Sequence, residues 1–168
     1  DEKEAENALL STAKEALDGF IAMRATEGEK LKTDINSRAD KILECVSFVE
    51  ERSPRSVASY AERLKQKIAE LAGDTSFDEG RLLTEVAIFA DKIAVDEETV
   101  RLKSHISQLK ALLETGGPIG RKLDFIVQEM NREANTIGSK AQDIEIAHTV
   151  VDIKAEIEKI REQIQNIE

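Results

Sequence analysis

The fold is decided by residues 116–140, which read GGPIGRKLDFIVQEMNREANTIGSK. The Gly116–Pro118 opening breaks one helix, and proline suits the first turn of the next because its missing N–H would have no partner there. Beyond it, apolar side chains recur at spacings of three and four, which predicts an amphipathic helix packed on a core. This apolar stripe consists of Leu123, Ile126, Val127, Met130, Ala134 and Ile137.

The opposite face of this helix is polar but includes Phe125, which lies between Arg121 and Arg132. Arginine binds phosphate through two hydrogen bonds, a phenylalanine ring stacks on an unpaired base, and amides reach base edges. A subunit interface is the other interpretation, because Phe and Arg are also enriched there. The pattern leaves both open. The candidate RNA-binding residues are Arg121, Lys122, Phe125, Gln128, Asn131, Arg132, Asn135 and Lys140.

Composition and charge restrict the class of protein. A chain with 40% apolar, 35% charged and 4% aromatic residues suits helices, and is too poor in aromatics for a typical sandwich or barrel. A single cysteine, Cys45, excludes an intrachain disulfide framework and favours the cytoplasm. The net charge of −10 argues against general binding of polyanions. Residues 116–140 differ, with four basic and three acidic side chains, so any RNA contact should be local.

The first 73 residues predict a long helical arm that folds back as an antiparallel hairpin. Apolar residues from Leu10 to Val49 follow steps of three and four, so a helix is expected over 4–52, continuous or hinged at Gly28. Ser53–Pro54 is expected to end it and to begin an antiparallel helix over 54–72. A break over 72–76 then divides the arm, residues 1–73, from a second domain, residues 74–168.

The second domain predicts a compact bundle of about four helices, so the fold class is all-α. Helices are expected over about 78–92, 96–114 and 143–167, in addition to the one that begins near Pro118. Asp96 is a candidate N-cap, and Leu82, Leu83, Val86, Phe89 and Ile93 are expected to face inward in the 78–92 helix.

Four stretches of this domain together resemble the YicC-like family of bacterial endoribonucleases. They are RLLTEVAIFADK at 81–92, ETVRLKSHISQLKALL at 98–113, GRKLDFIVQEMNREANTIGSK at 120–140 and KAEIEKIREQIQNIE at 154–168. The likeness is looser from Phe20 to Leu71. It implies metal-dependent cutting of RNA, a homo-oligomer that is a hexamer, and an α/β domain ahead of this region. The chain is therefore expected to be the helical C-terminal part of a longer protein.

The carboxylates permit such chemistry, because Mg²⁺ or Mn²⁺ can offset charge on a phosphodiester and assist the leaving oxygen. Glu129 and Glu133 are one helical turn apart, and Glu85 and Asp91 come from another helix, so these four are the candidate metal ligands. The simpler interpretation is that Glu129 and Glu133 form surface ion pairs with nearby arginines. His105 lies in a stretch that resembles the family, and imidazole can take a proton from a ribose 2′-hydroxyl. The candidate catalytic residues are His105, Glu129 and Glu133.

Two functions from different classes follow. The first is a metal-dependent endoribonuclease that acts on single-stranded or structured RNA, as the resemblance implies. The second is a non-catalytic module for RNA binding or oligomerisation, with the chemistry in the expected N-terminal domain. A coiled-coil scaffold would explain the arm but not the polar face around Phe125.

Overall fold

The protein consists of five α-helices in a computed structural model that describes residues 2–72, 79–165 and 167. The helices are α1 (Glu2–Ala72), α2 (Glu79–Ile93), α3 (Asp96–Thr115), α4 (Gly120–Lys140) and α5 (Ile144–Ile164). No β-strand occurs within these described ranges, so the all-α prediction is confirmed. In the same ranges, none of the helices combines the length and the apolar character that a membrane crossing requires.

A four-helix bundle forms from the middle of α1 together with α3, α4 and α5. The helices α1 and α4 each pack against both α3 and α5. Ion pairs that cross from α1 show that both of its neighbours run antiparallel to it: Lys32–Glu114 and Glu50–Lys103 to α3, and Arg38–Glu156 and Arg52–Asp143 to α5. The predicted compact bundle is therefore present, but α1 occupies the place that the sequence assigned to the 78–92 helix.

The interior of the bundle is one apolar cluster, to which each of the four helices contributes a stripe at helical spacing. Its members include Ile35, Ile42 and Val46 of α1, Leu102 and Leu109 of α3, Leu123 and Met130 of α4, and Ile153 and Ile160 of α5. Burial of each such side chain stabilises the fold by about 1.5–3 kcal/mol. The division at residue 73 stays a prediction, although this cluster draws on both sides of it.

The predicted hairpin within residues 1–73 is wrong, because α1 continues as helix through both Gly28 and Pro54. The ring of Pro54 removes the N–H that would donate to the carbonyl of Glu50, and it crowds that carbonyl. Packing on either side of the proline offsets this local cost. Ser56 is buried, and the Arg52 guanidinium contacts Asp143 beside α5.

The antiparallel partner of the C-terminal part of α1 is α2. The rings of Tyr60 and Phe89 stack with their centroids 3.7 Å apart and their planes within 9°. Tyr60 lies a short way before the end of α1, and Phe89 lies a similar distance after the start of α2. Because these two rings are in contact, α2 runs antiparallel to the C-terminal part of α1. The expected break at residues 73–76 lies outside the described residues. Leu83 was expected to face inward but is exposed, because the packed side of α2 follows Leu82 and Phe89 instead.

The remaining part of α1, residues 2–30, extends beyond the bundle and is called the N-terminal arm. Every residue of the arm is exposed. Its large apolar side chains, Leu9, Leu10, Leu17, Phe20, Ile21 and Met23, are each 51–72% exposed. The long continuous helix expected over residues 4–52 is confirmed.

Candidate functional site

The helices α3 and α4 lie side by side and antiparallel, and mostly polar side chains from both face each other along a line called the α3/α4 seam. On α3 these residues follow one another at spacings of three or four, and on α4 at spacings of three, four or seven, so each set lies on one side of its helix. The seam consists of Glu98, Arg101, His105, Gln108 and Leu112 from α3, and Lys122, Phe125, Glu129, Glu133 and Lys140 from α4.

The three predicted catalytic residues meet at the middle of the seam. One ligand atom from each of His105, Glu129 and Glu133 lies within 4.8 Å of the other two. Glu129 and Glu133 share a side of α4 because they are one turn apart, and the antiparallel register of α3 brings His105 opposite them. The sequence indicated each residue separately, and the packing of the two helices joins them into one cluster.

Glu133 is the most unusual member of the cluster, because it is a carboxylate that is only 4% exposed. The nearest cation is the guanidinium of Arg101, whose Nη1 lies 3.9 Å from Glu133 Oε1, longer than a hydrogen bond. Arg101 also pairs with Glu97 on its own helix. A buried carboxylate needs close compensation of its charge. Arg101 supplies part of it, which leaves room for a further cation.

The chemistry of this donor set fits a divalent transition metal. Two ligands of one ion bound at ~2.1 Å lie at most about 4 Å apart, so the spacing in the cluster is close to that of a bound site. Carboxylates suit Mn²⁺ and Mg²⁺, whereas an imidazole favours Mn²⁺ over Mg²⁺ because Mg²⁺ prefers oxygen ligands. The residues present therefore fit the Mn²⁺ member of the predicted pair of metals better.

Glu85 and Asp91, the other two predicted ligands, do not join this cluster. Both are exposed on α2, which packs on α1 rather than along the seam. Their residue type suits a metal ligand, but the surface on which α2 packs is not encoded in its own sequence pattern. Arg101 was not predicted, although it is four residues before His105 and so lies on the same side of α3.

Next to the cluster, the seam widens into an open groove of about 570 Å³, called the Phe125 groove. The groove is lined by Gln108, Leu112, Arg121, Lys122, Phe125 and Ile126. Phe125 is 62% exposed, as its position outside the apolar stripe predicted. Gln108 and Phe125 are each about one helical turn from a member of the cluster, His105 and Glu129.

The other predicted RNA-binding residues divide into two groups. Arg132 is exposed on the seam side, where its Nη1 lies 3.7 Å from Glu129 Oε2. Three others, Gln128, Asn131 and Asn135, lie farther round α4. There Gln128 donates to Asp124, and Asn135 donates to Asn131.

Lys140 has a different environment from the one predicted, because its amine points into the end of the seam. It donates to the Ala94 carbonyl at 2.9 Å and to Glu98 Oε1 at 2.8 Å. Glu98 is 5% exposed, and within the described part of the chain its Oε2 has no hydrogen-bond partner. Lys140 therefore neutralises a buried carboxylate where α3 begins.

The fold and the seam define an all-α protein with a candidate cation site flanked by arginines. The chain belongs to the YicC-like family, since the family described as "Endoribonuclease YicC-like, C-terminal" matches residues 49–168. A protein of Clostridioides difficile named "Probable endoribonuclease YicC" is 49% identical over 174 residues, covering 100% of this chain and 59% of that protein. A protein of the same name from Haemophilus influenzae is 40% identical over 160 residues, with 95% and 55% covered. The predicted resemblance is confirmed, and the chain spans less than two thirds of either relative.

Proposed function

We propose that this chain is the metal-binding and RNA-cutting region of an endoribonuclease, and that the α3/α4 seam is where RNA is cut. The single observation that carries the proposal is the meeting of His105, Glu129 and Glu133 within 4.8 Å. The names of the two bacterial relatives support the same activity. The positive balance of residues 116–140 in an acidic chain suits local contact with RNA phosphate.

In this proposal the three side chains hold one Mn²⁺ ion, and two arginines beside them bind the phosphodiester. A bound divalent cation offsets charge on the non-bridging oxygens and assists the leaving oxygen. Arg101 and Arg132 lie on opposite helices, each within 4 Å of a carboxylate of the cluster. Their guanidinium groups can donate paired hydrogen bonds to phosphate oxygens and orient the bond that breaks.

His105 has a second possible role that the geometry equally permits. When Glu129 and Glu133 alone hold the ion, the unprotonated nitrogen of a neutral His105 can accept the proton of the ribose 2′-hydroxyl. The 2′-oxygen then bonds to phosphorus while the bond from phosphorus to the 5′-oxygen breaks, and the 5′-oxygen leaves with a proton taken from water. That route leaves a 2′,3′-cyclic phosphate, whereas attack by water does not. RNA with a 2′-deoxy nucleotide at the cut therefore separates the routes. Only attack by water continues on that substrate.

The test is to replace each carboxylate by its neutral isostere in the full-length protein. Glu129→Gln and Glu133→Gln are expected to lower the rate of Mn²⁺-dependent cutting by about 100-fold or more, since a metal supplies several kcal/mol to the transition state. Calorimetric titration with MnCl₂ should show loss of the bound ion in both variants. RNA affinity measured in EDTA should be retained. Glu51→Gln, an exposed carboxylate of α1, is the matched control and should change none of these.

Unchanged cutting in both variants, with Mn²⁺ still required, would contradict the proposal. It would support the alternative, in which this chain binds RNA or joins subunits and the chemistry lies in the part of the protein that the relatives have beyond it. If the variants lose RNA affinity in EDTA as well as cutting activity, the alternative is also favoured. The carboxylates would then matter for structure or binding rather than for the reaction.

A further inference from the structure

We infer that the Phe125 groove is a subsite for one unpaired base of the RNA, and that it determines which phosphodiester reaches the cluster of His105, Glu129 and Glu133. The part of this inference that concerns the position of the cut rests on the proposed function. The part that concerns binding of the base does not. Its starting observation is that an open apolar groove directly adjoins a candidate phosphate-cutting site on the same pair of helices.

The shape and surface of the groove suit a nucleobase. Leu112 and Ile126 supply apolar lining where α3 meets α4, and the exposed ring of Phe125 forms one side. A base that enters can stack on this ring, which is the commonest way in which proteins hold single-stranded bases. Gln108 adds an amide that both donates and accepts, so it can reach the polar edge of a stacked base.

The charges around the groove match a nucleotide rather than a neutral apolar ligand. Arg121 and Lys122 line it, and among the described residues none of those that line it is acidic. This contrasts with the chain as a whole, whose net charge is −10. These two cationic side chains can bind the phosphate of a nucleotide whose base lies against the apolar lining.

The position of the groove relates the base to the cut. Phe125 precedes Glu129 by four residues, and Gln108 follows His105 by three, so groove and cluster are about 6 Å apart along α4 and about 4.5 Å apart along α3. A base on Phe125 and a phosphate at the cluster can therefore belong to one nucleotide. Paired bases are stacked inside a duplex and cannot enter, so the enzyme should cut beside unpaired nucleotides.

The first experiment measures binding without cutting, in EDTA, with the full-length protein. Two hairpin RNAs are compared, identical except that a single bulged nucleotide in one is replaced by an abasic residue in the other. The wild-type protein is expected to bind the abasic RNA about tenfold more weakly, a difference of ~1.4 kcal/mol, because the abasic RNA has no base to stack on Phe125. In Phe125→Ala the two RNAs should bind alike, and in Phe125→Trp the tenfold difference should return.

Phe48→Ala is the matched control, since Phe48 is 40% exposed on α1 and is not among the residues that line the groove. It should keep the tenfold difference. Thermal melting checks that each variant is folded. A tenfold difference that persists in Phe125→Ala would overturn the inference. So would a change of molar mass by light scattering in Phe125→Ala with the difference intact, because the groove would then be covered by a second copy.

The second experiment tests the position of the cut. The bulge is moved one base pair at a time along the hairpin, and the cut is expected to move with it in wild type but not in Phe125→Ala. A cut that stays fixed in wild type would overturn the inference. The difference in RNA binding is measured without metal, so it does not depend on cutting. It therefore tests the groove even if Glu129→Gln leaves cutting unchanged and the proposed function fails.

Discussion

Asp143 connects two helices of the bundle through a single carboxylate. It is the N-cap of α5, where its Oδ1 accepts from the backbone N–H of Glu145 at 2.8 Å and of Ile146 at 3.3 Å. Arg52 Nε of α1 donates to both carboxylate oxygens, at 2.9 and 3.0 Å, and Ser56 Oγ donates to Oδ2 at 3.2 Å. Burial opposes ionisation of this carboxyl, but the hydrogen bonds from Arg52, Glu145 and Ile146 and the charge of Arg52 outweigh it and hold the pKa of Asp143 below its usual value.

The first prediction at this scale concerns stability and pH. Because the pKa of Asp143 is lower in the folded state, its charge stabilises the fold above about pH 4, and this contribution is lost as the pH falls through the folded pKa. Asp143→Asn keeps an N-cap but not the charge. In urea unfolding, Asp143→Asn should have a lower free energy of unfolding than wild type at pH 7. The difference between the two proteins should be smaller near pH 3. A difference in free energy of unfolding that does not depend on pH would contradict a stabilising role for the charge of Asp143.

Asp143→Ala extends the same measurement to the cap itself. Loss of an N-cap side chain destabilises a helix by about 1 kcal/mol at any pH. Asp143→Ala should therefore be less stable than Asp143→Asn at both pH values. Equal stability of the two variants would mean that the hydrogen bonds to Glu145 and Ile146 contribute little.

At the scale of helices, the sequence predicted α2, α3, α4 and α5 to within about three residues at each end, because apolar spacing and breakers are local signals. It did not predict that Val95 rather than Asp96 is the N-cap of α3. Nor did it predict the continuation through Pro54. That outcome depends on contacts of the flanking turns with other helices, which local propensity does not contain.

The candidate site shows the same limit. His105, Glu129 and Glu133 were predicted from residue type, spacing and resemblance, but their meeting depends on the register between α3 and α4. Glu85 was grouped with them although the direction in which α2 packs cannot be deduced from its own apolar stripe. Burial of Glu133 was also not predicted, since a glutamate beside arginines is usually on the surface.

Pro54 gives a prediction at the scale of one helix. Since Pro54 lies inside α1, Pro54→Ala restores a hydrogen bond to the Glu50 carbonyl and should raise the free energy of unfolding by about 1–3 kcal/mol. Chemical unfolding measures this directly. Pro118→Ala is the control, because Pro118 precedes α4 and its missing N–H removes no helical hydrogen bond. A loss of stability in Pro54→Ala would indicate that the chain turns at this proline after all.

At the scale of the whole molecule, the apolar side of α1 is continuous but only partly covered. Ile35, Ile42 and Val46 are fully buried in the bundle, and the same side of the helix continues into the arm with Leu10 and Leu17, which are 60% and 59% exposed. Exposed apolar surface of this extent on one helix is typical of a protein–protein contact. We expect a second copy of the chain to cover it, because the stripe already packs against helices of this same chain farther along α1.

The last prediction tests that self-association. Leu10→Lys with Leu17→Lys places two positive charges in the stripe, where burial without a partner is costly, and should shift the molar mass measured by light scattering to that of a monomer. Glu15→Lys changes the net charge by the same amount, but Glu15 lies about 160° around the helix from Leu17, on the polar side of the arm. This control should keep the wild-type mass, which separates loss of the apolar contact from a general effect of charge. A wild-type protein that is already monomeric, or equal loss of association in both variants, would exclude the arm stripe as the contact between copies.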